Sequence, residues 1–328
     1  MLLWGIIGPD MSLEGKRVAV VVPAYNEETL IGRVIETMPD YVDVIYVVDD
    51  ASRDSTVAKV KTLAKAEKKK RTRLIQLEKN SGVGAAIVRG YQEGIQDEVD
   101  VMAVMAGDAQ MDPDDLESVL MPVVLGEADY VKGNRLFTGE AWQIIPRYRY
   151  LGNAFLSLLT KISSGYWHLA DSQTGYTAIS TKMAAMLPLE DLFPRYGYPN
   201  HILAMLNVYR ARVRDVPIQP IYDIGEKSGI RLWRVIPGLT ILLTRNFLWR
   251  MMQKYVIRDF HPLVFFYLMA LLLLGASVPL FARMMWRLLE TSNVPPINTL
   301  TFIFTAITGL QSLFFAMWFD MEYNKDLR

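Results

Sequence analysis

The chain has 328 residues, with 35 basic and 35 acidic side chains and no cysteine. A net charge of zero argues against a nucleic-acid surface spread over a whole domain. The absence of cysteine excludes disulfides and thiolate metal sites and is typical of a reducing compartment.

The apolar opening of the chain, residues 1–7, is not typical of a signal peptide. It lacks a basic region ahead of the apolar residues, and no small-residue cleavage site precedes Gly8. We interpret residues 1–16 as an N-terminal extension that comes before the first domain.

From Arg17 to about residue 135, short β-branched runs alternate with segments of helical apolar spacing. Five runs are predicted to be strands: Val18 to Val22, Val44 to Val48, Leu74 to Leu77, Val101 to Met105 and Tyr130 to Lys132. Because repeated strand–helix–strand units form right-handed crossovers, the sequence predicts an α/β domain with a mostly parallel sheet covered on both faces. Ligands bind such sheets beyond the carboxyl ends of the strands.

Polar clusters follow the first three predicted strands. The cluster from Pro23 to Glu28 is as typical of a helix start as of a ligand loop. In the second cluster, Asp49 to Thr56, a carboxylate can accept hydrogen bonds from a base or ribose, whereas Asp54 or Ser55 is predicted to cap the next helix. In the third, Asn80 to Ala86, small residues let a ligand approach the backbone and leave a helix N-terminus for an anion, although a tight turn is the simpler explanation.

The fourth cluster, Ala106 to Pro113, follows a strand too apolar to lie at the edge of the sheet. Asp108 and Gln110 are two residues apart, so on an extended backbone both side chains point the same way. Oxygen ligands in this arrangement suit Mg²⁺ or Mn²⁺ bound jointly with a diphosphate. Asp112, which is followed by a proline and two acids, is predicted to cap a helix instead.

Taken in order, the four clusters resemble the family 2 glycosyltransferases of the GT-A fold, over residues 17 to about 230. The resemblance rests on the stretches PAYNEE, VDDASRDST, NSGVGAA and GDAQMDP. It implies transfer of a sugar, with inversion, from a nucleoside diphosphate donor in the presence of Mg²⁺ or Mn²⁺. By the matching motifs, it implies nucleotide-sugar binding by Pro23, Tyr25, Glu27, Asp49, Asp50, Gly82 and Gly84. It implies metal binding by Asp108 and Gln110.

Two positions depart from the family pattern. Ala106 stands where the metal motif commonly has its first aspartate, so further coordination must come from diphosphate, water or another residue, for which Asp171 is the candidate. Asp171 opens the stretch DSQTGY, which is similar to the family's second acidic motif. Thr177 stands where relatives often carry an arginine, so the motif supplies no charge clamp at that position. We predict catalytic roles for Asp108 and Asp171 at the metal, and for Arg135 as a cation that places the acceptor.

Two stretches, Arg147 to Lys161 and Gly225 to Gly229, are similar to the branch that contains dolichyl-phosphate mannose synthase and bacterial polyprenyl-phosphate glucosyltransferases. This likeness implies a polyprenyl phosphate acceptor, dolichyl or undecaprenyl. It also implies binding of the acceptor phosphate by Arg147, Arg149, Lys227 and Ser228. A phosphate monoester, with a second pKa of about 6, already carries an anionic oxygen at neutral pH, so no general base is needed.

The C-terminal third of the chain is predicted to be associated with a membrane. Residues 231–259 mix arginines with leucine, isoleucine and tryptophan, which is typical of helices in the headgroup layer with cations outward, although a basic linker is the alternative. Pro262 to Ala282 and Ile297 to Phe319 carry no charge and are long enough to cross about 30 Å of hydrocarbon. We therefore predict two transmembrane helices within residues 260–328, followed by a short tail; buried core helices are the alternative.

Basic residues ahead of the first span predict its orientation, because such residues tend to stay on the cytoplasmic side. They are Arg245, Arg250, Lys254 and Arg258. The sequence thus predicts an integral membrane protein whose catalytic domain, residues 17–230, faces the cytoplasm. Whether copies of the chain form a homo-oligomer stays open, since the isolated small residues Gly275 and Gly309 make no packing motif.

Two other functions are left open by the sequence. Processive polysaccharide synthases resemble this catalytic domain, but Leu232-Trp233-Arg234 lacks the glutamine of their motif, and only two spans are predicted. A catalytically silent membrane protein that binds nucleotide sugar is favoured by Ala106. Metal-dependent donor turnover distinguishes these functions, because a binding protein retains the donor without forming a lipid-linked product. The donor's base and sugar and the lipid's length are not indicated by any residue.

Overall fold

The computed structural model describes residues 13–136, 147–219, 221 and 232–328, with only the backbone of residues 147–155 and 232–237. Contacts divide the chain into two compact units, Met1–Asn246 with Leu327–Arg328, and Phe247–Asp326. The first unit contains a β-sheet, and the second contains the two long apolar helices.

The first unit is built on a seven-stranded sheet with the strand order β3-β2-β1-β4-β6-β5-β7. The first five strands confirm the predicted ones to within two residues at each end. The last two strands, β6 and β7, were not predicted. The strands are β1 (Val18–Ala24), β2 (Val44–Asp49), β3 (Thr72–Gln76), β4 (Val101–Val104), β5 (Tyr130–Asn134), β6 (Thr177–Ser180) and β7 (Val213–Pro217).

Most strand pairs are parallel, as expected, and β6 is the exception. It runs antiparallel to both of its neighbours, with Thr177 opposite Val104 of β4 and Lys132 of β5. An antiparallel strand begins at the edge where its neighbours end. The segment before β6, which contains Asp171, is therefore brought to the edge that carries the polar loop after β4.

Helices and shorter helical turns connect the strands as far as β7, and the remaining ones follow it. Asp112 accepts a hydrogen bond from the backbone N of Asp114 at 3.0 Å, with Pro113 at the first helical position, so its predicted capping role is confirmed. The turns are two 3₁₀ segments, Pro113–Asp115 and Leu189–Asp191, and a π-helix, Gln253–Arg258. The α-helices of the described residues are α1 (Ile31–Glu36), α2 (Thr56–Ala66), α3 (Val83–Gln96), α4 (Leu116–Val124), α5 (Arg147–Ser164), α6 (Thr181–Met186), α7 (Tyr198–Val208), α8 (Leu232–Met252), α9 (Leu263–Thr291) and α10 (Pro296–Tyr323).

Helices cover both faces of the sheet, as predicted. On one face, Val20 and Val22 of β1 belong to a buried apolar cluster with side chains of α1 and α4. On the other face, Val21 lies so close to Gly90 of α3 that an added Cβ would come within 2.3 Å of it. Because a fully buried valine side chain contributes about 1.5–3 kcal/mol, β1 is a strong anchor for the loop that follows it.

In the second unit, α9 and α10 pack closely against each other. An added Cβ on Gly309 of α10 would lie 2.9 Å from the side chain of Leu274 of α9. Only 17% of the most apolar stretch of α9 and 22% of that of α10 is buried. The core helix of a soluble protein would be mostly buried. Both helices are thus long, apolar and exposed enough to span a membrane, as predicted.

Two basic residues of the segment 231–259 are buried, although cations in this segment were expected to face outward. Arg250 is fully buried, and its guanidinium donates to the two carboxylate oxygens of Asp320 at 2.7 and 3.0 Å. Lys254 is also buried, and its ammonium donates to Asn324 Oδ1 at 2.5 Å. The expectation is wrong for these residues because polar side chains at the end of α10 satisfy them.

Candidate active site

The loops after β1 and β2 are joined by reciprocal hydrogen bonds. The backbone N of Asn26 donates to Ser52 Oγ at 2.9 Å, and the backbone N of Arg53 donates to Asn26 Oδ1 at 2.8 Å. Asn26 has a φ of 57°, a left-handed conformation that asparagine tolerates better than most residues. Asp54 accepts from the backbone N of Thr56 at 3.0 Å, so its predicted role at the start of α2 is confirmed. The first two predicted clusters therefore form one structure.

Asp50 connects the second cluster to the third. Its carboxylate accepts hydrogen bonds from the backbone N of Ser81 at 2.7 Å and of Gly82 at 2.8 Å, and the residue is 4% exposed. Asp49 is also buried, and it accepts from the backbone N of Ser52 at 3.2 Å. The structure thus gives both aspartates a part in holding the loops, and their contacts with a base or ribose stay a prediction.

The two glycines of the third cluster face a second loop, which contains Phe193 and Pro194. Gly82 has a φ of +100°, and an added Cβ would lie 2.4 Å from Pro194 O. Pro194 O also accepts from the backbone N of Gly84 at 2.8 Å and of Ala85 at 3.2 Å. The expectation that this end of α3 is left for an anion is therefore wrong for these two N–H groups, because a distant carbonyl binds them.

We predict that Gly84→Ala destabilises the protein by about 1–3 kcal/mol, the usual cost of overpacking. The new Cβ would lie 2.3 Å from Phe193 O and 3.0 Å from Tyr198 Cβ, so the backbone must shift. Thermal unfolding of the purified chain measures the effect. Gly275→Ala is the matched control, since a Cβ on this helical glycine meets nothing within 4 Å. Equal unfolding midpoints for the two variants would contradict the prediction.

The fourth cluster reaches the same edge of the sheet through a turn. The backbone N of Gly107 donates to Pro23 O at 3.1 Å, which ties this loop to the end of β1. Ala109 has a φ of 56°, and the backbone N of Gln110 donates to Asp108 Oδ1 at 3.2 Å. The expectation of an extended backbone between Asp108 and Gln110 is wrong, because the Asp108 side chain closes a turn there. Both side chains are half-buried.

Glu27 brings a second acidic side chain towards Asp108. Burial, with the nearby charges of Asp108 and Asp54, raises the pKa of Glu27 to about 7. In the described part of the chain, no three acidic or histidine side chains converge on one point. The oxygens of Asp108 and Gln110 suit Mg²⁺ or Mn²⁺, because such ions are often held by one or two protein ligands together with substrate phosphates and water.

Arg135 and Asp171, which were predicted to be catalytic, lie in direct contact. Arg135 Nε donates to Asp171 Oδ2 at 2.7 Å, and its second nitrogen, Nη2, donates to Oδ1 at 3.2 Å. The Asp171 side chain is 3% exposed and that of Arg135 is 29% exposed, so the arginine faces the more open side. Burial opposes ionisation of Asp171, but Arg135 and then Lys132 bring its pKa below the ordinary value. A bidentate pair of this kind fixes the geometry of both groups.

Two charged residues beside this pair were missed by the sequence predictions. Lys132 is fully buried in β5, and Asp215 of β7 is its partner in the strand register. Burial lowers the pKa of Lys132 to about 8, opposed by Asp171 and Asp215, and burial raises the pKa of Asp215 to about 6. The signal in the sequence was a lysine within an otherwise apolar strand, Tyr130 to Lys132.

The remaining predicted residues are placed only in part. Pro23 is buried at the end of β1, and the Tyr25 side chain is 41% exposed beside it. Arg147 and Arg149 lie in the first turn of α5, which is described by its backbone. Lys227 and Ser228 lie outside the described residues.

A model of glycosyl transferase family 2 matches residues 19–185, just over half of the chain. The matched range contains all four strand-end loops together with Arg135 and Asp171. It ends before β7 and the two apolar helices.

Named relatives extend the match. The UDP-N-acetylglucosamine–dolichyl-phosphate N-acetylglucosaminyltransferase of Methanococcus voltae is 29% identical over 237 residues, which are 69% of this chain and 93% of that relative. The undecaprenyl-phosphate mannosyltransferase of Micrococcus luteus is 29% identical over 218 residues, which are 65% of this chain and 87% of that relative.

Among solved structures, a glucosyl-3-phosphoglycerate synthase of Mycobacterium tuberculosis in complex with Mn²⁺, UDP and phosphoglyceric acid is similar in fold. The TM-score is 0.55 at 19% identity, and the match covers 75% of this chain and 84% of the other. At this identity the likeness supports the fold alone, and it agrees with the predicted GT-A architecture. Together with the family model, it confirms the resemblance seen in the motifs: the chain belongs to glycosyl transferase family 2.

Proposed function

We propose that this chain transfers one hexose, with inversion, from a UDP- or GDP-linked donor to a polyprenyl phosphate at the cytoplasmic face of a membrane. One observation carries the proposal: a single chain combines a family 2 site at the edge of a sheet with two exposed apolar helices. The names of the two relatives, which act on dolichyl and undecaprenyl phosphates, support this choice of acceptor.

The donor is bound by the loops after β1, β2 and β3 in this proposal. The half-exposed ring of Tyr25 is available to contact the base, while Asp50 keeps the glycine loop in place. Asp108 and Gln110 would hold Mg²⁺ or Mn²⁺. When bound, the ion would offset the negative charge that develops on the departing diphosphate.

The acceptor needs alignment more than activation. A phosphate oxygen forms the new bond at the anomeric carbon while the bond from that carbon to the nucleoside diphosphate breaks. Because this oxygen is already anionic at neutral pH, the chain must bring it into line and exclude water. Arg135, held by Asp171 and partly exposed, is the described cation we assign to this task, with Arg147, Arg149, Lys227 and Ser228 as further proposed contacts.

The proposed membrane arrangement has three parts: a catalytic domain (17–230), a juxtamembrane segment (231–259), and a two-helix membrane region (260–328) with a cytoplasmic tail. Four basic residues precede α9, against Arg283 and Arg287 near the link between the helices. The positive-inside rule acts on the chain as it is inserted, so Arg250 and Lys254 count although the fold buries them. This count supports a cytoplasmic catalytic domain.

We predict that the full chain, purified in detergent, forms organic-phase sugar from polyprenyl phosphate and one of UDP-glucose, UDP-N-acetylglucosamine or GDP-mannose. Turnover should require Mg²⁺ or Mn²⁺ and stop on chelation with EDTA, because the charge of the departing diphosphate would then be left without its divalent counter-ion. In sealed inside-out vesicles, donor added outside should react without a detergent step.

Other outcomes of this assay point elsewhere. Metal-dependent donor binding without product would favour a nucleotide-sugar-binding protein, consistent with Ala106 in the metal motif. A long water-soluble polymer would favour a processive synthase. Product formed in EDTA would remove the metal from the proposal.

A further inference from the structure

Lys132 lies fully buried on β5, next to the edge strand β7, and a fully buried lysine is rarely found without a partner. Its position on β5 is opposite Thr177 of β6 and Asp215 of β7. A buried lysine and a half-buried aspartate, whose Oδ1 is shielded from solvent, thus occupy matched positions on adjacent strands. Placing two charged side chains inside a fold is costly in desolvation and gives little net stability, so their presence needs another explanation.

The contacts of Lys132 and Asp215 point to the segment Ala170–Thr174. Lys132 Nζ donates to Thr174 O at 2.7 Å, at one end of the segment. Asp215 Oδ2 accepts from the backbone N of Ala170 at 2.6 Å, at the other end. Two charged side chains from neighbouring strands therefore hold both ends of five residues.

The second residue of this segment is Asp171, which binds Arg135. Asp171 accepts from Arg135 and from the backbone N of Gln173, the latter at 3.1 Å. If the ends of the segment moved, the Asp171 carboxylate and the arginine it binds would move with them. Displacements of about 1 Å can cost about 100-fold in rate, so a rigid support has a direct effect on turnover.

We propose that Lys132 and Asp215 are positioning residues that fix Ala170–Thr174, and through it the Arg135–Asp171 pair, during sugar transfer. The proposal rests on the function proposed above. The competing explanation is that the two charged side chains only stabilise the sheet. The two explanations differ in what happens when both charges are removed together.

The experiment compares Lys132→Met, Lys132→Met/Asp215→Asn and the control Lys61→Met, which alters an exposed lysine of α2. All are made in the full chain and purified in detergent. Three quantities are measured: the thermal unfolding midpoint, hydrogen exchange of peptides covering residues 170–176, and kcat with KM for the donor that the wild type uses.

Lys132→Met should lower kcat about 10- to 100-fold with little change in donor KM. It should also speed exchange of the Ala170–Gln173 amides by about 2- to 10-fold. The double variant leaves no isolated buried charge, so its unfolding midpoint should return towards that of the wild type. Its kcat and exchange should stay altered, because Thr174 O still lacks its donor.

Recovery of kcat together with stability in the double variant would overturn the positioning role. Unchanged exchange at residues 170–176 in the double variant would overturn it as well, and this measurement serves even where Lys132→Met fails to fold. If the wild type turns over no donor at all, the proposed function fails. The exchange measurement needs no substrate and still decides whether Lys132 holds the segment.

Discussion

Replacing Asp108 by alanine should abolish sugar transfer and leave the fold intact. We expect kcat to fall at least about 10³-fold, since a bound divalent ion stabilises the transition state by several kcal/mol. Asp108 lies in a turn after β4 whose contacts to the core run through Gly107 and Pro23, so the sheet itself does not depend on its carboxylate. Turnover of the purified chain measures the loss of transfer, titration of Mn²⁺ in the presence of UDP measures metal binding, and thermal unfolding tests whether the fold is kept.

Two further variants separate charge from local structure. Asp108→Asn keeps an oxygen that can accept from the backbone N of Gln110 but removes the charge, so it should also be inactive. Asp112→Ala removes a helix cap in the same loop, which should cost about 1 kcal/mol of stability and leave transfer unchanged. Normal turnover by Asp108→Ala would remove the metal assignment.

Replacing Asp320 by alanine should have the largest effect on stability. Arg250 would remain buried without its carboxylate partner, and breaking such a pair costs about 3–5 kcal/mol. Tyr255 and Asn324 would lose an acceptor as well, since Tyr255 OH donates to Asp320 Oδ1 at 2.5 Å and Asn324 Nδ2 donates to it at 3.0 Å. Thermal unfolding of the full chain in detergent measures the loss.

The control for this prediction is Glu322→Ala, two residues further along α10. Glu322 is exposed and pairs with Lys325 at the surface, so its removal should change stability by less than about 1 kcal/mol. Arg250→Met/Asp320→Leu removes both buried charges and should recover most of the stability lost in Asp320→Ala. If Asp320→Ala and Glu322→Ala unfolded at the same temperature, the ion pair of Arg250 with Asp320 would not stabilise the fold as expected.

The central strands β1, β2 and β4 could be predicted because they are apolar runs, mostly of valine, that are buried along their whole length. β6 and β7 lack this signal. β6 has four residues, and β7 carries Arg214 and Asp215 within five. The direction of β6 is also set by non-local pairing with β4 and β5. Neither composition nor periodicity contains that information.

Non-local contacts of the candidate site could not be predicted from the sequence either. Its loops could be predicted, because polar residues after buried strands mark the edge where ligands bind. Their partners could not: Pro194 lies more than one hundred residues beyond Gly84, and Asp320 lies 70 residues beyond Arg250. Ala109 adopts a left-handed φ that alanine rarely takes, so the turn at Asp108 was not apparent from residue types.

The distance in sequence between Arg250 and Asp320 also sets an order of events during synthesis. At about 5–20 residues per second, the arginine is incorporated roughly 4–14 seconds before the aspartate that binds it. Through that interval the guanidinium must stay in water, among lipid headgroups or on a chaperone. A chain that stops short of Asp320 would keep Arg250 without its carboxylate, so this part of the fold is completed only when almost the whole sequence has been made.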